Sequence, residues 1–133
     1  MARKWFYSAV VCLLPIMLPS CGHDQQLVSI ALQPSGFVFE GFGAQGQFTA
    51  IGTYIHPPQT KDITTQLLWK IDVANLATIT QTGLVTSIRT DGCGSGDVTA
   101  TYYSNPSNPS KGTTIIGTAT VKGVNDGGSQ CHP

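Results

Sequence analysis

The chain has 133 residues, with seven basic and seven acidic side chains, and is too short for more than one domain of ordinary size. About 41% of the residues are hydrophobic, only 11% are charged, and 15 are glycine. Long surface helices need more Glu, Lys and Arg than this, whereas the frequent Thr, Val, Ile and Tyr favour strands. A balanced charge also gives nucleic-acid binding no electrostatic support. Composition therefore predicts one all-β domain without a nucleic-acid partner.

The first 20 residues have the three parts of an export signal. Arg3 and Lys4 form a positive segment, residues 5–18 form an apolar segment, and Leu-Pro-Ser-Cys21 ends it. A transmembrane helix needs roughly 20 apolar residues, and this segment is shorter and interrupted by proline. Its end resembles the lipobox of bacterial lipoproteins, in which a peptidase cuts before the cysteine and the thiol carries diacylglycerol. We therefore expect residues 1–20 to be removed and Cys21 to be the lipid attachment site.

Two alternatives for this segment stay open, an ordinary secretory signal with a chance cysteine and an uncleaved anchor.

Removal of the leader would leave five basic and seven acidic residues, a net charge of about −2. Membrane attachment would then rest on the lipid alone, with residues 21–26 as a tether. Gly22, not Asp, follows the cysteine, which by resemblance to enterobacterial sorting favours the outer membrane over the inner one in a cell that has both. The expected location is the cell envelope, outside the cytoplasm.

The remaining cysteines predict a disulfide. Cys12 would leave with the signal and Cys21 would carry the lipid, so that Cys93 and Cys131 form the pair left in an oxidising compartment. These two residues are almost forty positions apart and have no neighbouring cysteine or well-placed histidine, which does not match a zinc site. Two free surface thiols are the alternative.

Seven strand-like runs separated by Gly, Pro, Asn and Asp fill residues 27–124, and a tail follows at 125–133. The runs are residues 27–32, 47–55, 66–71, 74–80, 83–88, 97–104 and 113–121. Alternation puts Trp69 on the same face as Leu67 and Ile71, so we expect it in the core, with a surface aromatic for sugar stacking as the alternative. Tyr103 is expected to face solvent. About seven short strands are typical of a two-sheet sandwich.

Four segments in order resemble the bacterial immunoglobulin-like domain of group 2, the Big2 type. They are residues 61–69 (Lys-Asp-Ile-Thr-Thr-Gln-Leu-Leu-Trp), 76–79 (Leu-Ala-Thr-Ile), 82–86 (Thr-Gly-Leu-Val-Thr) and 96–102 (Gly-Asp-Val-Thr-Ala-Thr-Tyr). The chain departs from the family in the loop at 91–95, which is extended and holds Cys93. The resemblance implies an immunoglobulin-like sandwich of bacterial surface and secreted proteins, often a spacer or adhesive module. It implies no particular ligand.

No catalytic or metal site is expected. Residues 41–46 match G-x-G-x-x-G, but a strand is expected after them where a nucleotide site needs a helix. His23, His56 and His132 lie at positions typical of solvated loops, and no G-x-S-x-G elbow accompanies them. The loop aspartates do not have the spacing of a calcium loop. We therefore predict neither a metal nor a cofactor.

Two functional classes follow. The first is a non-enzymatic, lipid-anchored module of the envelope that binds an envelope protein or polysaccharide, or serves as a structural element. The second is a small carbohydrate-binding or hydrolytic protein that uses exposed aromatic side chains and loop carboxylates. The first is favoured because no paired acid and base can be assigned.

Overall fold

The computed structural model of the chain describes residues 24–89 and 93–124. In this part, regular structure consists of ten strands and two 3-10 helices, Thr64–Gln66 and Pro109–Lys111. The strands are β1 (Gln26–Gln33), β2 (Gly36–Glu40), β3 (Gln45–Gln47), β4 (Thr49–Ile55), β5 (Gln59–Asp62), β6 (Leu68–Ile71), β7 (Ala77–Ile79), β8 (Leu84–Ser87), β9 (Gly94–Tyr103) and β10 (Thr114–Val124). The all-β class predicted from the composition is confirmed.

The strands form the two layers of a sandwich. One layer is a four-stranded sheet in the order β2-β10-β9-β6, and two three-stranded sheets have the orders β1-β4-β5 and β3-β8-β7. Only Phe48 separates β3 from β4, so the two smaller sheets continue into each other and make the second layer. The order β1, β4/β3, β8, β7 facing β10, β9, β6 has the A-B-E-D against G-F-C arrangement of immunoglobulin-like sandwiches.

Three of the ten strands, β2, β3 and β5, are additional to the seven that the sequence predicts. After β1 the chain crosses from one layer to the other. β1 pairs antiparallel with β4 in the second layer, and β2 pairs parallel with β10 in the four-stranded sheet. The sequence Phe-Val-Phe-Glu could have indicated β2 by its alternation, and in the structure Phe39 is buried and Val38 is exposed. Every residue of β5 is exposed, and such a strand has no apolar pattern by which to recognise it.

Alternating apolar residues of both layers make one core. Val98 and Ala100 of β9 are fully buried, as are Phe39 from β2 of the same sheet and Phe48 from the facing layer. Full burial of a large apolar side chain stabilises the fold by about 1.5 to 3 kcal/mol. Tyr103 was expected to face solvent and Tyr102 to face the core. At this end of β9 both tyrosines are half-buried, so the difference between them is small.

Thr64 is a buried polar residue that joins three parts of the core. Its hydroxyl accepts a hydrogen bond from the Ala50 backbone N–H at 2.9 Å and donates one to the Asp62 carboxylate at 2.5 Å. Its carbonyl accepts the Trp69 indole N–H at 2.7 Å. The side-chain hydrogen bond from Thr64, assisted by a second bond from its backbone N–H, lowers the pKa of Asp62 below its ordinary value.

Thr64→Val is expected to destabilise the domain by about 2 kcal/mol at neutral pH, because the Ala50 N–H would stay buried without an acceptor. Thr64→Ser keeps the hydroxyl and should destabilise the domain clearly less than Thr64→Val.

A carboxylate with a lowered folded-state pKa stabilises the fold above its unfolded pKa, and this contribution disappears as the pH falls through the folded pKa. The stabilisation from Asp62 should therefore fade below about pH 4. Urea unfolding of both variants at pH 7 and pH 3 measures these effects, and equal destabilisation by Val and Ser would contradict the assigned hydroxyl.

Candidate interaction surfaces

The chain enters the sandwich at one end, where the side chain of Gln25 is fastened to β5. Its amide donates to the Gln59 side chain at 2.9 Å, and its carbonyl oxygen accepts a hydrogen bond from the Lys61 ammonium. The Lys61 ammonium also lies 5.0 Å from the centre of the Tyr54 ring. Gln26 then begins β1 opposite Ile55. The chain is therefore held to the folded domain from Gln25 onward.

The β9–β10 hairpin loop lies at the same end. A groove of about 280 Å³ is lined by Asp24, Gln25 and Gln26 on one side, and by the two strand ends of the hairpin on the other. We call this region, with the loop at 104–113 and the turn at 56–58, the proximal end.

The opposite end carries the turn at 41–43. Gly41 donates its N–H to the carbonyl of Val124, the last residue of β10, at 3.2 Å, and Gly43 donates to Ser87 at 2.9 Å. Since β10 rises about 3.3 to 3.4 Å per residue, this turn lies about 33 Å from the hairpin end of β10. We call this region, with Ile88, the distal end.

Phe42 projects from the distal turn and is 65% exposed. The glycines on both sides have positive φ angles of 81° and 77°, a conformation that other residues adopt only with strain. Both glycine N–H groups are hydrogen-bonded, so the backbone beneath the ring is fixed at two points. A large aromatic ring held outward on a fixed turn is an arrangement suited to contact with a partner. Phe42 was not singled out from the sequence, because the glycines beside it were considered only as part of the G-x-G-x-x-G match.

A second exposed apolar region lies on the outer face of the four-stranded sheet. Leu68 and Ile116 are both paired with Thr101 and are 39% and 55% exposed. Beside them a shallow groove of about 390 Å³ is lined by Leu68, Tyr103 and Pro106, with threonine, serine and glutamine side chains at its margin. The mixture of an aromatic ring with hydroxyl and amide groups could accept a small polar ligand.

Trp69, the predicted core residue, is 2% exposed. Its ring lies 6.5 Å from the Phe48 ring, and a Cβ added at Gly83 would approach it to 3.2 Å. On the open edge of β6, the Gln81 side chain accepts the Trp69 N–H and donates to the Trp69 carbonyl, both at 3.3 Å. Gln81 therefore occupies the hydrogen-bonding groups that another strand would use.

The cysteine predictions fall largely beyond the described part. Cys21 and Cys131 lie outside the described residues, whereas Cys93 is described and immediately precedes β9. The antiparallel β9–β10 hairpin on which the disulfide prediction depends is confirmed, and its last pair joins Gly94 to Gly123. Cys93 is therefore next to the point from which the chain leaves β10 towards Cys131.

The acidic and histidine side chains do not gather into a site in the described ranges. No group of three or more His, Cys, Asp or Glu residues is placed to hold a metal ion there. His56 lies in the turn between β4 and β5, and the other two histidines lie outside the described residues. Strand β3 begins within the G-x-G-x-x-G segment and β4 follows it, so strand stands where a dinucleotide site needs a helix.

The described surfaces can supply apolar contact, hydrogen bonds and scattered charges. Of the helices in residues 24–89 and 93–124, none has the length and apolar character needed to cross a membrane. We compared the chain with protein-family models and with curated protein sequences, and neither comparison gave a match.

Proposed function

We propose that this chain is a lipid-anchored, non-enzymatic Big2-like module of the bacterial envelope that binds a partner through its distal end. The observation that carries the proposal is the position of the Phe42 turn, at the end of the sandwich opposite the point where the chain enters. Cys21 is only four residues before Gln25, so an anchor on Cys21 would leave the distal end facing away from that membrane. The partner would be an envelope protein or polysaccharide, and the outer membrane is the favoured location.

The short tether favours a partner of Phe42 other than the anchoring bilayer. Four residues span at most about 14 Å, whereas the sandwich measures about 33 Å along β10. With Gln25 fastened to β5, so short a tether holds the entry end of the domain at the bilayer, and an upright domain then presents Phe42 on the side away from it. Burial of an aromatic ring in a partner pocket is worth about 2 to 4 kcal/mol, the contribution of a binding hot spot.

Cys21→Ser should abolish incorporation of labelled fatty acid and partitioning of the protein into detergent, because the thiol is the proposed attachment atom. Cys12→Ser is the matched control, since Cys12 lies within the proposed leader and should not affect the mature product. Mass spectrometry of the mature N-terminus checks the result. Lipid labelling that persists in the Cys21→Ser protein would exclude the anchor.

A photo-reactive phenylalanine analogue at position 42 should form a discrete adduct on intact cells, and one at position 28 should not. Val28 is the control because it is 42% exposed but lies on β1, away from the distal turn. Once the partner is purified, Phe42→Ala should weaken binding about 30- to 900-fold. Unchanged affinity would remove the distal turn from the interface.

A carbohydrate-binding function is the second candidate, and the groove beside Tyr103 favours it. An aromatic ring next to hydroxyl and amide groups matches what a sugar ring needs, stacking on one face and hydrogen bonds at its edge. A glycan array separates the two functions. Glycan binding that is lost in Tyr103→Ala and kept in Phe42→Ala would favour this second function.

A further inference from the structure

We infer that the proximal end is a membrane-facing surface that rests on the headgroup layer of the bilayer in which the Cys21 lipid is inserted. The inference rests on the proposed lipidation of Cys21. It adds the orientation of the domain, the surface that meets the bilayer and the chemical nature of that contact.

The length of free chain limits how far the sandwich can leave the bilayer. Only Gly22, His23 and Asp24 separate Cys21 from Gln25, and Gln25 is bonded to Gln59 and Lys61 of β5. The reach from Cys21 to Gln25 is at most about 14 Å. This is less than half of the roughly 33 Å along β10. The tether therefore keeps the proximal end within about 14 Å of the bilayer, and it puts no such limit on the distal end.

The chemistry of the proximal end fits a polar, hydrated layer. The hairpin loop reads Asn-Pro-Ser-Asn-Pro-Ser-Lys-Gly at 105–112, and the turn at 56–58 reads His-Pro-Pro. The large hydrophobic residues that are exposed in the described part all lie outside these two segments. Lys111 is the single charged side chain of the hairpin loop. Contact with the surface of the headgroups, without insertion into the hydrocarbon, is the outcome that such a surface favours.

This orientation divides the grooves of the protein into covered and accessible ones. The groove lined by Asp24–Leu27 and the hairpin strand ends opens at the proximal end and would face the headgroups. Phe42 and the outer face of the four-stranded sheet would stay open to other molecules of the envelope.

The test uses full-length mature lipoprotein in vesicles of phosphatidylethanolamine and phosphatidylglycerol that contain an acceptor fluorophore on a small fraction of the headgroups. A fluorescent donor residue is introduced at position 107 in the hairpin loop or at position 42 in the distal turn. Transfer should be several-fold stronger from position 107. Insertion of twelve Gly/Ser residues between His23 and Asp24 adds a flexible reach of about 19 Å and should reduce the difference between the two positions.

Equal transfer from both positions, or stronger transfer from position 42, would overturn the inference. An unchanged difference in the linker variant would also overturn it, because the short tether would then not set the orientation. Mass spectrometry of the same preparation reports the lipid on Cys21 independently. If that lipid is absent, the proposed function fails, and protein coupled at Cys21 to a maleimide lipid still tests the orientation.

Discussion

Trp69→Ala should lower the free energy of unfolding by about 3 to 5 kcal/mol, the cost typical of removing a large aromatic side chain from a core. The ring is 2% exposed and packs beside Phe48. Its indole N–H satisfies the Thr64 carbonyl, which would lose this partner in the alanine variant. A small domain has about 5 to 15 kcal/mol of stability in total. We therefore expect a large fall in the melting temperature or outright unfolding.

Trp69→Phe is the matched comparison, because it retains an aromatic ring and removes the hydrogen bond together with part of the volume. It should cost less than the alanine substitution. Urea unfolding followed by circular dichroism measures both variants. A Trp69→Ala protein that keeps its melting temperature and loses a ligand would show that the tryptophan serves binding instead of packing.

Cys93→Ser is expected to destabilise the oxidised protein by about 4 kcal/mol, through loss of the proposed bridge to Cys131. The chain-entropy model gives this value for a closed loop of almost forty residues. The pairing of Gly94 with Gly123 puts the start of β9 beside the end of β10. Seven residues lead from Val124 to Cys131, a reach of about 24 Å, which is ample for return to Cys93.

The double variant Cys93→Ser/Cys131→Ser should be no less stable than either single variant, because each substitution breaks the same bond. Peptide mapping without reduction should yield one cross-linked peptide that contains positions 93 and 131. Alkylation of both thiols in the folded protein before any reduction would rule out the bridge.

Patterns with strong local signals were predicted correctly. The alternation of Val98 and Ala100 identified the inward face of β9, and the segment Gln81-Thr82-Gly83 was predicted as a turn and is one. Gly83 has a φ of 79° there. β5 was missed because a fully exposed strand has no apolar alternation. β3 was missed because three polar or glycine residues give too little pattern to recognise.

The candidate surfaces were harder to predict than the strands. The two hydrogen bonds of the Gln25 side chain join residues more than thirty positions apart. Nothing in the local sequence marks Gln25, Gln59 and Lys61 as neighbours. Phe42 was visible as an aromatic residue between two glycines. Only the hydrogen bonds to Ser87 and Val124 give its turn a fixed position at the distal end.

The sequence by itself determined the all-β class and the burial of Trp69, because composition and two-residue periodicity are properties of the local chain. The tertiary structure decided which strands share a sheet, where β1 gives way to β2 across the sandwich, and that Gln25 and Phe42 lie at opposite ends. These features arise from pairing between residues distant in sequence. Burial of the inner face of each sheet and closure of long loops select that pairing, and neither is encoded at any single position.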